Sequence, residues 1–245
     1  MAISRRTLGV GAGVAVVVLL AVGFGGWWFF IRDDAPEAAS IEAAGETLDQ
    51  AGAGDASGAA TDVNGTWAVD NSVGSFDDFS GTWAGYRFDE ELASIGTNTA
   101  VGRTPDVTGS MTIDGDQVTA VDVEVDLTTL KSDSGRRDGA LRSRGLESDQ
   151  FPTATFTLTE PFALPADLAS GQQVSASATG DLTIHGVTKP VTVDVQTQLE
   201  GGSAAVVGSA PVNLTDFGIE APTGLSVLSI KNDGTFEFQL FFTRQ

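Results

Sequence analysis

The chain has 245 residues, 41% of them hydrophobic, which is enough for one domain of ordinary size with a sizeable core and a smaller additional region. It contains no cysteine and one histidine, which excludes disulfides and thiolate nucleophiles and argues against a zinc or other transition-metal site. The net charge of −20 argues against nucleic acid as a partner, because binding phosphates requires a basic surface.

An uncharged apolar segment near the start, Leu8–Ile31, predicts a transmembrane helix. At about 1.5 Å per residue it spans roughly 36 Å, enough to cross a hydrocarbon core of about 30 Å. Arg5 and Arg6 precede the segment, whereas acidic residues follow Arg32, so the positive-inside rule places residue 1 in the cytoplasm. We therefore expect residues 1–32 to be a single-pass plasma-membrane anchor with the rest of the chain outside. A cleaved signal peptide is the alternative.

Residues 33–62 consist largely of alanine, glycine and acidic residues, with no base. Such a composition buries little apolar area and repels itself, which predicts a flexible, disordered tether. A short helix over Ile41–Gln50 is possible but marginal as an isolated element.

From residue 63 to residue 245, short runs of alternating apolar and polar residues are separated by glycine, proline, asparagine and aspartate, a pattern typical of β-strands. About eight antiparallel strands at this spacing predict an all-β fold, either a sandwich or a closed barrel. The last strand favours a barrel, because its apolar row is too bulky for a solvated edge. The runs lie near Gly65–Val69, Trp83–Phe88, Val107–Ile113, Val121–Leu127, Thr155–Leu158, Val174–Ile184, Val191–Leu199, Ala204–Leu214 and Thr235–Phe242.

The alternation is interrupted at Lys131–Leu146, which predicts a short crossover helix. Asp133 or Ser134 is suited to cap its start, and Gly145 to end it.

This segment holds a cluster of bases. Arg136, Arg137 and Arg142 are candidate contacts for an anionic group, such as a lipid phosphate, at the lip of the fold. The alternative, which we favour, is a solvated basic helix neutralised by nearby carboxylates. Asp138 beside Arg137 suggests that the two charges reach partners on different elements, a structural role.

The one histidine, His185, lies on the polar face of a predicted hairpin, beside Gly186 at the turn. A catalytic imidazole needs a positioned nucleophile, and no motif such as G-x-S-x-G occurs in the chain. We therefore expect His185 and Gly186 to stabilise the turn and the protein not to be an enzyme.

Five phrases carry a family resemblance: "VTG" (Val107–Gly109), "RDGALRS" (Arg137–Ser143), "FPTATF" (Phe151–Phe156), "GDLTIHGVTKPV" (Gly180–Val191) and "DFGI" (Asp216–Ile219). In this order, and over nearly all of residues 66–244, the sequence resembles the YceI-like family. The phrases "GYRFDEEL" (Gly85–Leu92) and "AVGRTPDVTG" (Ala100–Gly109) resemble its actinobacterial, membrane-tethered branch. The resemblance implies a lipocalin-like antiparallel barrel whose apolar lumen holds a polyisoprenoid or similar amphiphile. It implies no catalytic activity and no cofactor.

The sequence departs from the family near the first strand. Many relatives have a histidine there, whereas here Asp70 is followed by Asn71 and Ser72. No role of that histidine can be transferred to this chain.

Period-two alternation predicts which side chains line the lumen. The predicted wall consists of Tyr86, Phe88, Met111, Ile113, Phe156, Leu158, Phe236 and Phe238. Their polar neighbours Arg87, Thr112, Thr157 and Glu237 are expected to face water.

Taken with the apolar segment and the family resemblance, the sequence predicts an extracytoplasmic lipid-binding protein anchored in the plasma membrane. A surface interaction module with a filled barrel is the main alternative and a hydrolase the weaker one; the lipid and the oligomeric state stay open.

Overall fold

The computed structural model describes residues 35–52, 62–94, 96–165, 167–224 and 227–245. No helix among these residues has the length and apolar character needed to cross a membrane. The predicted anchor, Leu8–Ile31, lies outside the described residues, as do residues 33, 34 and 53–61 of the predicted tether.

The described residues form twelve strands and two α-helices. The helices are α1 (Ile41–Gln50) and α2 (Gly135–Arg144). The strands are β1 (Gly65–Val69), β2 (Trp83–Leu92), β3 (Gly96–Thr104), β4 (Val107–Asp114), β5 (Gln117–Asp126), β6 (Lys131–Ser132), β7 (Thr153–Leu158), β8 (Phe162–Ala163), β9 (Val174–Ile184), β10 (Val187–Glu200), β11 (Ser203–Asn213) and β12 (Val227–Arg244).

Eight of the strands close into a barrel in the order β1-β4-β5-β7-β9-β10-β11-β12, and β12 pairs back with β1. All of the pairs are antiparallel, and the closing register sets Trp67 opposite Arg244. The prediction of about eight antiparallel strands in a closed barrel is confirmed. Closure removes the exposed edges that a row of bulky apolar side chains could not tolerate.

Strand β12 has 18 residues; it pairs with β11 along one edge and is long enough to pair with two strands along the other. Its last residues pair with β1, whereas Val227–Gln239 pair with β2. From β2 the sheet continues to β3 and then to β6. The wall therefore branches at β12, and the branch β2-β3-β6 leads to helix α2.

Helix α2 confirms the predicted crossover. The Ser134 side chain accepts a hydrogen bond from the Arg137 backbone N–H at the start, and Gly145 follows the last residue. The Asp138 carboxylate accepts hydrogen bonds from the backbone N–H of Ser132 at 3.0 Å and from its hydroxyl at 2.6 Å. These bonds attach the helix to the end of the branch.

The predicted disordered tether is wrong over Ile41–Gln50, where the chain forms α1 and packs on β10 and β11. Ile41, Ala44 and Leu48 form one apolar stripe and are at most 1% exposed. They pack in a cluster with Val73, Ala205, Val207 and Phe241. The composition of the segment suggested disorder because this stripe has no partner in the segment itself; the partner is the outer face of the barrel.

Candidate functional site

The barrel encloses a cavity of about 210 Å³. Valine side chains from β5 and β10 supply much of its wall, and aromatic side chains from β7 and β12 supply more. The valines are Val121, Val123, Val125, Val191, Val193 and Val195. The alternation of Val191–Val195 is visible in the sequence, but the predicted wall contains only bulkier residues of other strands. An apolar, concave space of this kind suits a hydrocarbon chain.

Six of the eight predicted wall residues line the cavity: Tyr86, Met111, Ile113, Phe156, Phe236 and Phe238. The other two, Phe88 and Leu158, do not. Phe88 is 5% exposed and packs edge-on against the Phe236 ring at 6.3 Å between centroids. Leu158 packs in the apolar cluster around Trp67.

Two apolar clusters lie toward the opposite ends of the cavity. One includes Leu130, Leu146 and Phe217 and is joined by Leu141 of α2, so we call this the α2 end. The other includes Trp67, Leu168 and Leu240. Phe236 packs with the first cluster and Phe238 with the second, so β12 runs along the whole cavity.

The outer face of β12 does not face water as we expected. Glu237 is 4% exposed and accepts a hydrogen bond from Arg103 at 2.9 Å. A second ion pair joins it to Arg87 at 3.3 Å. The reason is that residues 35–50, which we call the N-terminal segment, cover this face. In this segment the Pro36 carbonyl accepts a hydrogen bond from Arg87, and the Glu37 carbonyl accepts one from Arg103. By contrast, Thr157 is exposed, as predicted.

Arg103 is buried between charge and aromatic surface. Its guanidinium lies 3.7 Å from the centroid of the Trp83 ring and 4.7 Å from that of Phe79. Burial lowers the pKa of Arg103, and the Glu237 carboxylate opposes that shift. Arg103 stays protonated although it is buried, because the unperturbed pKa of arginine is very high. Its buried charge is compensated by the Glu237 carboxylate.

The predicted lip residues of α2 divide into two groups. Arg136 and Arg142 are exposed, and Arg142 donates to the Thr128 carbonyl at 3.2 Å. Arg137 instead forms ion pairs with Asp133 and with Glu90, whose side chain is fully buried. Arg137 is therefore neutralised by carboxylates, as in the alternative interpretation, and this argues against a role for it as an anion contact.

His185 and Gly186 form the turn between β9 and β10, and both have positive φ, 53° and 71°. Positive φ at both central positions is typical of the tight turns that match the twist of a hairpin. His185 Nε2 lies 3.0 Å from the Glu147 carboxylate and Nδ1 lies 3.3 Å from the Phe217 carbonyl. Both ring nitrogens are thus engaged by the protein, which supports the structural role predicted for this residue. Within the described ranges, no group of three or more histidine and acidic side chains could hold a metal ion.

Comparison with known proteins places the barrel among relatives. The sequence profile of the YceI-like domain matches residues 86–242. A UPF0312 protein from Shewanella denitrificans is 34% identical over 165 residues, which cover 64% of this chain and 82% of that protein. A UPF0312 protein from Pseudomonas aeruginosa is 35% identical over 159 residues, covering 58% of this chain and 79% of that protein.

Two solved structures share the fold at low sequence identity. A polyisoprenoid binding domain from Saccharophagus degradans, implicated in plant cell wall breakdown, superposes with a TM-score of 0.53 at 16% identity. The match covers 73% of this chain and 98% of that domain. BcnA from Burkholderia cenocepacia gives a TM-score of 0.51 at 17% identity, covering 65% of this chain and 95% of BcnA.

Proposed function

Because the chain belongs to the YceI-like family, we propose that it is a non-catalytic binding protein that holds an isoprenoid-type or similar amphiphilic lipid in its barrel. The observation that carries the proposal is the apolar cavity of about 210 Å³ inside a closed barrel. A prenyl chain offers dispersion and apolar area to such a wall and almost nothing to hydrogen-bond. The fold shared with the polyisoprenoid binding domain supports the same ligand class.

The lining residues also argue against catalysis. The cavity wall consists almost entirely of aliphatic and aromatic side chains, and His185 is not among its residues. A hydrolase would need a nucleophile and a base within hydrogen-bond reach of each other at the cavity.

We further propose that residues 1–32 anchor the protein in the plasma membrane, with the barrel outside the cytoplasm. The docked N-terminal segment then sets the distance to the bilayer. Only three residues separate Arg32 from Pro36, whose carbonyl binds Arg87. Even fully extended, at roughly 3.5 Å per residue, this connection could reach no further than about 14 Å. The barrel would therefore stay close to the membrane that supplies its lipid.

External protease tests the orientation. Protease added to intact spheroplasts should remove the domain, because an extracytoplasmic domain is accessible without lysis. Cleavage only after lysis would place the domain in the cytoplasm.

Native mass spectrometry of the full-length chain tests the ligand. The wild type should carry a bound lipid mass. Val195→Trp should lose it, because Val195 lines the cavity and an indole would occupy the space. Gln196→Trp is the matched control, since the neighbouring side chain is exposed and alternates to the outer face. A wild-type protein that carries no lipid would favour an interaction module with a filled barrel.

A further inference from the structure

Tyr86 is the only tyrosine in the chain, and it lines the cavity from β2. Its side chain is positioned by neighbours on both sides. The ring lies across Gly102 of β3, where an added Cβ would come within 2.4 Å of the Tyr86 Cε1 atom. The Phe88 ring lies at 6.0 Å between centroids. The absence of a side chain at Gly102 is thus what allows the tyrosine to reach its position.

The Tyr86 hydroxyl is buried and has no hydrogen-bond partner among the described residues. The residue is 7% exposed. Burial raises the pKa of Tyr86, so the hydroxyl is neutral and can both donate and accept a hydrogen bond. A buried hydroxyl without a partner costs stability, and phenylalanine would fill the same space without that cost. The hydroxyl is therefore explained better by a ligand than by the packing of the protein.

The charges near the hydroxyl decide which ligand groups suit it. Arg137, Asp138, Glu90 and Asp133 all act electrostatically on Tyr86. Three carboxylates thus oppose one guanidinium, and that guanidinium is already paired with Glu90 and Asp133. One oxygen of the fully buried Glu90 carboxylate has no partner within the part of the chain that the structure describes. An anionic group would be repelled here, whereas an uncharged hydroxyl or carbonyl would not.

We propose that the Tyr86 hydroxyl binds the uncharged, oxygen-bearing end of the lipid, and so orients the lipid with this end at the α2 end of the cavity. This inference rests on the proposed function and deepens it. The hydrocarbon chain then extends along β12 toward Phe238 and Trp67. A terminal alcohol or carbonyl fits this arrangement, and a terminal phosphate does not.

A competition experiment tests the assignment. The full-length chain is incubated with equal amounts of farnesol and farnesene, which carry the same number of carbons with and without a hydroxyl. Native mass spectrometry then gives the ratio of the two complexes. Tyr86→Phe should shift this ratio toward the hydrocarbon by roughly tenfold, the factor for one lost hydrogen bond in a dry site. Farnesyl phosphate should compete poorly with farnesol for the wild type.

Two controls separate the possible failures. Phe238→Leu alters the opposite end of the cavity and should leave the alcohol-to-hydrocarbon ratio unchanged. The thermal midpoint of ligand-free Tyr86→Phe should equal or exceed that of the wild type, since no protein hydrogen bond is lost. An unchanged ratio in Tyr86→Phe, or a wild type that prefers the phosphate, would overturn the assignment but leave lipid binding intact. Failure of the wild type to bind any of the three probes would count against the proposed function itself.

Discussion

The two faces of strand β12 are both buried, but in different ways. On the inner face, Phe236 and Phe238 border a cavity. On the outer face, Glu237, Gln239 and Phe241 lie beneath other parts of the chain and are at most 4% exposed. The amide of Gln239 donates to the carbonyls of Ser80 and Gly81, each at 2.8 Å. The inner face is therefore apolar and borders an empty space, whereas the outer face is covered and the side chains of Glu237 and Gln239 are hydrogen-bonded there.

This difference shows that burial alone does not identify a binding wall. A closed barrel offers only one enclosed space, and the strands must leave it partly empty if a ligand is to enter. The outer face instead gains stability from the docked N-terminal segment. Substitutions on the two faces should accordingly have different effects on folding and on ligand binding.

The largest expected difference is between Phe241→Ala and Phe238→Ala. Phe241 is 0% exposed in the cluster with α1, so its truncation should lower the free energy of unfolding by about 3–5 kcal/mol. Phe238 borders the cavity, so its truncation enlarges a space that already exists and should cost on the order of 1–2 kcal/mol in ligand-free protein. Urea unfolding of both variants measures the two values.

Ligand binding should show the opposite order. Phe238→Ala should weaken lipid retention in native mass spectrometry, whereas Phe241→Ala should retain lipid in the fraction that stays folded. Equal, core-like destabilisation by both variants, with no lipid in either, would indicate a solid barrel.

A smaller global effect is expected when α1 is released from the outer face. Leu48→Asp places a carboxylate in an apolar cluster with no counter-charge, which should undock the helix. The barrel should stay folded because its ladder closes without α1, so the thermal midpoint should fall by only a few degrees, in keeping with a cost of about 1–2 kcal/mol. Amide hydrogen exchange should show loss of protection over residues 41–50.

Ala43→Asp is the matched control for this experiment, since Ala43 lies on the exposed face of the same helix. It should leave the exchange pattern of α1 nearly unchanged. If Leu48→Asp unfolded the whole barrel, α1 would be part of the core rather than a segment docked on it.

The strands of the barrel were predictable from the sequence because each carries its own alternation. Val121–Leu127 and Val191–Leu199 each present one apolar face, and that pattern needs no knowledge of the neighbouring strand. Helix α2 was predictable for the same reason, since its cap at Ser134 and its end at Gly145 are local signals.

The docked segment and the buried ion pairs were not predictable, because they depend on distant parts of the chain. The apolar stripe of α1 has only three members, and the sequence does not show that β10 and β11 accept it. Gly45 hints at a close approach, since an added Cβ would lie 2.3 Å from the Gln198 side chain, but such a glycine also suits a loop. Glu237 follows the strand alternation correctly; what the alternation could not show is that its outer face is covered.

The smallest expected effect concerns the seam where β1 meets β12, on the same side as the covered face. Asp70 lies just after β1, and its carboxylate accepts hydrogen bonds from the Ser72 hydroxyl at 2.6 Å and from Thr243 of β12 at 2.7 Å. The bond from the Ser72 side chain, and then those from Thr243 and the Ser72 N–H, hold the pKa of Asp70 below its ordinary value of 3.8. A carboxyl with a lowered pKa in the folded state adds stability above its unfolded pKa and loses it as the pH falls through the folded pKa. Unfolding measured by urea between about pH 5 and pH 2 should therefore show a loss of stability toward acid that is smaller in Asp70→Asn than in the wild type.

Asp78→Asn is the matched control, because Asp78 makes the same local bonds to Ser80, and its pKa is also lowered, but no bond to another strand is present among its described contacts. Asp70→Asn should reduce the loss of stability toward acid more than Asp78→Asn does. Equal losses of stability in the two variants would mean that the bond to Thr243 adds nothing to the closure of the barrel.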